Sequence, residues 1–308
     1  MKTIKLGAGK LQVPVIALGC MRMSVLEHGQ AEAYIEKCLE LGINFFDHAD
    51  IYGNGECERR FSKAFPMTSG VRETIILQSK CGIQPGIKYD SSKQYIISAA
   101  EGILKRLNTE YLDILLLHRP DALMEAEEIA EAFDELERSG KVRNFGVSNH
   151  RPSQIELLKK CVKQEILVDQ LQFSIPFSNM VAAGLEVNMV TEGSLDRDGS
   201  ILDYCRLKDI TVQAWSPFQS GNSAGFFIDN ENGCYPELNN VLQDLADQYG
   251  VSKTAIASAW LLRHPARIQI IAGTMNEKRL EEIVNGVNIM LSREDWYRLY
   301  LAAGHILP

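Results

Sequence analysis

Residues 113–118 read Asp-Ile-Leu-Leu-Leu-His, and they decide how the chain is read. An unbroken apolar row does not suit a strand with one wet face, where apolar and polar residues alternate. It suits a strand buried on both faces of a parallel sheet. Upstream, Thr74–Lys80 (TIILQSK) is also strand-like and leads to Ser91–Arg106, which has helical spacing. Downstream, Glu125–Arg138 sets Ile129, Phe133 and Leu136 on one helical face, and Gly140 follows as its cap. The next strand begins at Arg143. Pro152 then sits where a first helical turn accepts proline.

The same alternation predicts eight strands: Ile16–Gly19, Asn44–Asp47, Thr74–Lys80, Asp113–His118, Arg143–Val147, Leu167–Gln172, Thr211–Trp215 and Gln269–Gly273. Helices follow most of them. Such alternation implies parallel strands joined by right-handed crossovers. Eight units over about 250 residues match a closed (β/α)8 TIM barrel. A doubly wound open sheet is the other candidate, but no glycine fingerprint follows the first strand. Residues 1–308 therefore read as a single barrel domain. Lys2–Lys5 and Lys10–Pro14 flank Gly7-Ala8-Gly9 and predict a short N-terminal β-hairpin at the barrel bottom. Two long loops, Ser174–Asp198 and Ser216–Tyr235, follow the sixth and seventh strands, on the face where barrels build their sites.

Hydrophobic residues make up 45% of the chain and charged residues 23%, an ordinary globular balance. The net charge of −8 argues against nucleic acid as a partner. It leaves room for one small anion in a locally basic pocket. The seven cysteines lack C-x-x-C spacing and read as free thiols of a reducing compartment. The first residues show no signal-peptide run, and no stretch reaches the ~20 apolar residues of a membrane helix. A cytoplasmic protein without a membrane partner is expected. The oligomeric state is not legible.

Polar residues terminate the apolar strands. Asp47 ends the second, Lys80 the third and His118 the fourth, and Tyr52 follows Asp47 in FFDHADIYG. Each alone has a plainer role, as helix cap, solvent-reaching lysine, core histidine or packing tyrosine. Together they converge on one barrel mouth and suit proton transfer to a carbonyl. A lysine lowers a phenol's pKa, an aspartate holds the lysine charged, and a histidine can orient the substrate oxygen. Asp47, His48, Asp50 and His118 are also ligand types, so a metal-dependent hydrolase is an alternative.

These motifs resemble the aldo-keto reductase superfamily. The resemblance runs from about residue 4 to 291 and rests on GINFFDHADIYG, LQSK, YLDILLLHRPD, GKVRNFGVSN and VDQLQF. It implies NADPH-dependent reduction of an aldehyde or ketone, with NADH also possible, and with no metal. Asp47, Tyr52, Lys80 and His118 would be the catalytic residues. Cofactor contacts would come from Gly19, Cys20, Met21 and Arg22 in the first loop, from Asp47, and from Ser148, Asn149 and Gln170 around the carboxamide. Trp215 would stack on the nicotinamide where the family usually has tyrosine. Ser216, Pro217 and Phe218 would meet the phosphates, and Gly273, Thr274, Arg279 and Glu282 the adenosine end. Gly273 and Ile283 stand where many NADPH-specific members have lysine and asparagine, which puts cofactor preference in question. Some relatives act as channel-associated proteins, so a cofactor-binding sensor or accessory subunit is the second reading. His48, Met21, Phe177 and the loop Gly221–Asp229 are expected to border a small-molecule carbonyl substrate.

Overall fold

A computed structural model describes residues 1–9, 11–221, 225–230 and 233–307. Eight parallel strands close into a barrel: Ile16–Gly19, Phe45–Asp47, Ile76–Cys81, Ile114–Leu117, Phe145–Ser148, Ile166–Gln172, Thr211–Trp215 and Gln269–Ala272. Each overlaps its expected position. Closure comes from the eighth strand pairing with the first, Ile270 beside Ile16 and Ala272 beside Leu18. The open-sheet alternative is thereby excluded. Ile114 to Leu117 are all buried, as the unbroken apolar run requires.

Helices pack outside the strands and share a core with them. Their ends follow local chemistry. Ser92 caps the helix Lys93–Leu107 by accepting from the Tyr95 N–H. Gly140, with φ of +73°, ends the turn after Ala126–Arg138, where a side chain would be strained.

The N-terminal hairpin pairs Thr3–Lys5 with Gln12–Pro14. Lys10, expected in its second arm, lies outside the described residues. Leu6 and Val13 join a second apolar cluster with Phe45, Ile114, Leu167 and Val168, so the hairpin plugs the bottom of the barrel. The Gly7 N–H donates to Thr211 Oγ1 at 2.8 Å, and a Cβ at Gly7 would lie 2.5 Å from the Leu167 carbonyl oxygen.

Two features depart from expectation. The segment read as the loop Ser174–Asp198 contains a helix, Asn179–Leu185, which buries Met180, Val181 and Ala182. Two turns are too short to show a period in sequence. A small hairpin, Ile83–Gln84 with Lys88–Tyr89, follows the third strand.

The lower face holds a buried ion pair. Arg72 donates to Asp113 Oδ2 at 2.7 Å and also reaches Thr109 Oγ1 and the carbonyls of Ile75 and Tyr111. The same carboxylate oxygen accepts the Leu77 N–H at 2.9 Å. Asp113 also meets the half-exposed Arg143 at 3.6 Å, so removing Arg72 leaves the buried carboxylate with only this weaker, solvent-screened ion pair. Arg72→Met is expected to lower unfolding free energy by about 3 kcal/mol, read as a lower urea midpoint with an unchanged slope.

Candidate active site

The sheet's pleat sends alternate residues inward, and the strand ends bring their polar groups to one mouth. A cavity of about 700 Å³ opens there. At its base the Lys80 ammonium donates to both Asp47 carboxylate oxygens at 2.8 Å, to the His48 carbonyl at 2.8 Å and to the Tyr52 hydroxyl at 3.3 Å. Lys80 and Asp47 are buried, while Tyr52 and His118 line the cavity. The Tyr52 and His118 rings meet edge-on, with centroids 6.0 Å apart.

Burial works against the Lys80 charge, but attraction to Asp47 and Tyr52 outweighs it and raises the ammonium's pKa. Lys80 is therefore charged across the ordinary pH range. Burial also pushes the Tyr52 hydroxyl up; Lys80 pulls it down and Asp47 pushes it up again, and the net is a raised pKa. That corrects the expectation of a lowered one: desolvation exceeds the pull of a lysine already shared with an aspartate. Burial, then Lys80 and Arg119, hold His118 down to about 2, so its imidazole is neutral.

On the neighbouring strands, Ser148 donates to the Gln170 carbonyl at 2.9 Å, and Asn149 Nδ2 donates to Ser148 Oγ at 2.8 Å. The Trp215 indole donates to Asn149 Oδ1 at 3.1 Å, which fixes the ring at the cavity wall. Asn149 and Ser216, with φ of +60° and +49°, occupy the left-handed region. Strain of this kind collects at functional sites.

The cavity gathers most of the expected residues. Gly19, Met21, Arg22, Asp47, Tyr52, His118, Ser148, Asn149, Gln170, Trp215, Ser216, Pro217, Phe218, Gly273, Thr274 and Arg279 all line it. Lys80 stands behind Asp47 and Tyr52. Cys20 is buried away from the cavity, its thiol 3.7 Å from the Leu18 carbonyl. Glu282 is not on the lining, whereas Ile283 beside it is. His48, expected at the mouth, is fully buried against Phe61 instead, with ring centroids 4.8 Å apart. Phe177 also lies off the lining, packed where a Cβ on Gly221 would fall. Residues 222–224 of the expected loop are outside the described residues.

Phe226 of that loop does line the cavity, whereas several lining residues escaped the sequence reading: Ile51, Ile83, Arg119 and Asn276. Asn276 could have been found, because it is the N-cap of helix Glu277–Asn285 and accepts the Arg279 N–H at 2.9 Å. Arg119 follows His118 directly, so its strand-end position was a signal. The isoleucines carried none. Among the described residues no three of His, Cys, Asp and Glu cluster as a metal site would. Asp47 is in any case taken up by Lys80, against the hydrolase alternative.

The chain matches the model of the aldo/keto reductase family over residues 15–300. It belongs to that family, whose chemistry is carbonyl reduction with a nicotinamide cofactor. It is 33% identical over 320 residues to the uncharacterized oxidoreductase YcsN of Bacillus subtilis, covering all of both chains. It is 32% identical to a 6-dehydroglucose reductase of Agrobacterium fabrum, covering 96% of this chain and 95% of that one. In fold it resembles the thermostable aldo-keto reductase Tm1743, solved with the inhibitor epalrestat. The TM-score is 0.78 at 24% identity, over 98% of this chain and all of that one.

The lining residues fit a nicotinamide dinucleotide. Gln170 spends its Nε2 on Asp47 and Gln213, and no described residue donates to its Oε1. That leaves an acceptor for a carboxamide N–H beside the fixed Trp215 ring. At the other end the N-terminus of helix Glu277–Asn285 and the Arg279 and Arg22 guanidiniums suit phosphate.

Beneath this wall Asp169 is fully buried, and neither carboxyl oxygen has a side-chain partner among the described residues. Burial pushes its pKa up to about 8, offset only in part by the His150 and Asn149 backbone N–H groups. The folded chain thus keeps this proton up to about pH 8, while the unfolded chain releases it near ~3.9. Stability from this group is present at low pH and drains away as pH rises through that window. Asp169→Asn removes the loss. Its stability advantage over wild type is expected to grow by about 2–4 kcal/mol between pH 5 and pH 8. Urea melts at the two pH values test this; a constant difference would mean the carboxyl is ionised in the folded chain.

Proposed function

We propose that the protein is an NADPH-dependent reductase of aldehydes or ketones, in which Tyr52 delivers the proton to the carbonyl oxygen. The observation that carries this reading is the shared Lys80 ammonium, bonded to both Asp47 oxygens and to the Tyr52 hydroxyl at the cavity wall. The bound cofactor supplies hydride to the carbonyl carbon. Tyr52 and neutral His118 meet the carbonyl oxygen from two sides, and both hold it by hydrogen bonds. Lys80 faces the negative charge that grows on Tyr52 as its proton leaves. Asp47 keeps Lys80 in place and charged. Its burial puts these charges in a low-dielectric setting, where each interaction is stronger than in water.

Around the cofactor, Ser148, Asn149 and Gln170 would hold the carboxamide and Trp215 the ring face. Gly19, Met21, Ser216, Pro217 and Phe218 would border the diphosphate; Cys20 would act through its backbone. The preference for NADPH over NADH rests on two guanidiniums. Arg279 lies 4.6 Å over the Phe226 ring, with Thr274 and Asn276 beside it. Arg22 donates to the Gly273 carbonyl at 2.9 Å. It thus brings a cation to the place where Gly273 withholds a lysine. NADH would be accepted more weakly. Glu282, off the lining, would reach only the adenine edge. The Agrobacterium relative named for 6-dehydroglucose supports an aldehyde as substrate. Seven free thiols support a reducing, cytoplasmic setting.

Tyr52→Phe is expected to cut carbonyl-dependent NADPH oxidation by about 10²–10⁴-fold, with nucleotide binding retained. Loss of dihydronicotinamide absorbance and quenching of Trp fluorescence read the two separately. Wild-type turnover in the variant would reject the role of Tyr52. Arg279→Ala is expected to weaken NADPH by about tenfold or more, and NADH far less. Equal losses for both nucleotides would place Arg279 away from the extra phosphate.

A further inference from the structure

Three arginines line the cavity. Arg22 bonds the Gly273 carbonyl and Arg279 stacks on Phe226. Arg119 has no hydrogen bond, ion pair or ring contact among the described residues, although it is half-buried. Its charge is felt by His118 and by His150, so it stands at the carbonyl end of the cavity.

The barrel order separates it from the other two. Arg22 follows the first strand and Arg279 the eighth, which are neighbours. Arg119 follows the fourth strand, four places from the eighth in the closed ring and so diametrically across from it. One phosphate cannot serve both sides. Loops of adjoining strands supply apolar neighbours to the same arc, Ile51 after the second and Ile83 after the third. Asp121, two residues on, and Asp90, after the third strand, are engaged elsewhere. Asp121 accepts the Ser91 and Leu123 N–H groups, and Asp90 takes Gln84, Ser92 and Lys88. A half-buried guanidinium in an apolar arc strongly favours an oxyanion, because the pair is poorly screened and the planar fork matches two oxygens.

We propose that Arg119 is a specificity-determining residue that recognises an oxyanion on the substrate, so that the preferred substrate is an aldehyde or ketone carrying a carboxylate, sulfonate or phosphate. This deepens the reductase reading and rests on it. Because only the substrate carries this group, its loss is felt in KM more than in kcat.

The test compares carbonyl compounds with and without an anionic group. Para-formylbenzoate is set against its methyl ester, succinic semialdehyde against its methyl ester, and glyceraldehyde phosphate against glyceraldehyde. The wild-type enzyme is expected to favour the charged member in kcat/KM by about tenfold or more, mostly through KM. The carboxylate and phosphate pairs show which oxyanion is preferred. Added salt should shrink the ratio. In Arg119→Met the ratio should fall to near one, and Arg119→Lys should recover part of it. Each ratio is internal to one variant, so partial loss of folded protein does not alter it. Equal use of ester and acid by the wild type overturns the proposal, and so does a preference that survives in Arg119→Met; Tyr52-dependent turnover would still stand in both cases. If no carbonyl is reduced, the reductase reading fails, and para-(hydroxymethyl)benzoate and its methyl ester are titrated by calorimetry into protein with NADP⁺. Tighter binding of the acid, lost in Arg119→Met, supports the anion site; equal or absent binding overturns it.

Discussion

Two opposite charges sealed inside a barrel mouth govern the upper half of this molecule. Lys80 and Asp47 are both buried, and taking each from water costs several kcal/mol. The pair survives because nearly every polar valence is met. Lys80 has the two Asp47 oxygens, the His48 carbonyl and Tyr52. Asp47 Oδ1 accepts further from Gln78 at 2.7 Å and Gln170 at 3.1 Å. Asp47 and Tyr52 keep Lys80 charged; burial, reinforced by Lys80, keeps His118 neutral, and burial outweighs the ammonium's pull on Tyr52.

The pair is anchored from below by side-chain amides. Gln78 donates to Gln213 at 2.8 Å, Gln213 to Gln269 at 2.8 Å, and Gln269 to the Pro14 carbonyl at 2.7 Å. A barrel interior is ordinarily filled by branched aliphatic side chains. Here a column of amides runs from the mouth toward the hairpin plug, each buried Nε2 finding an acceptor. A satisfied buried network rigidifies its members. It holds the carboxylate that holds the lysine, and through it the tyrosine.

Much of this was legible in the sequence, for definite reasons. Strand positions came through because parallel strands buried on both faces leave unbroken apolar runs such as Ile114–Leu117. The mouth came through because strand ends share one face. His48 was misjudged because it sits next to Asp47, and neighbouring strand residues point in opposite directions. Asp47 faces the site while His48 packs on Phe61. The helix Asn179–Leu185 was missed because two turns carry too little periodicity to stand out from a loop.

By itself the sequence determined the order of strands and helices, the barrel they close into and the polar residues that meet at its mouth. All of these follow from local periodicity and from chain order. Tertiary structure alone decided which side chains pair across the barrel. Gln78 and Gln213 are 135 positions apart, and nothing near either one announces the other. The isolation of Arg119 and the lack of a side-chain partner for Asp169 were likewise invisible. Having or lacking a partner depends on every neighbouring element at once, and burial sets what that costs.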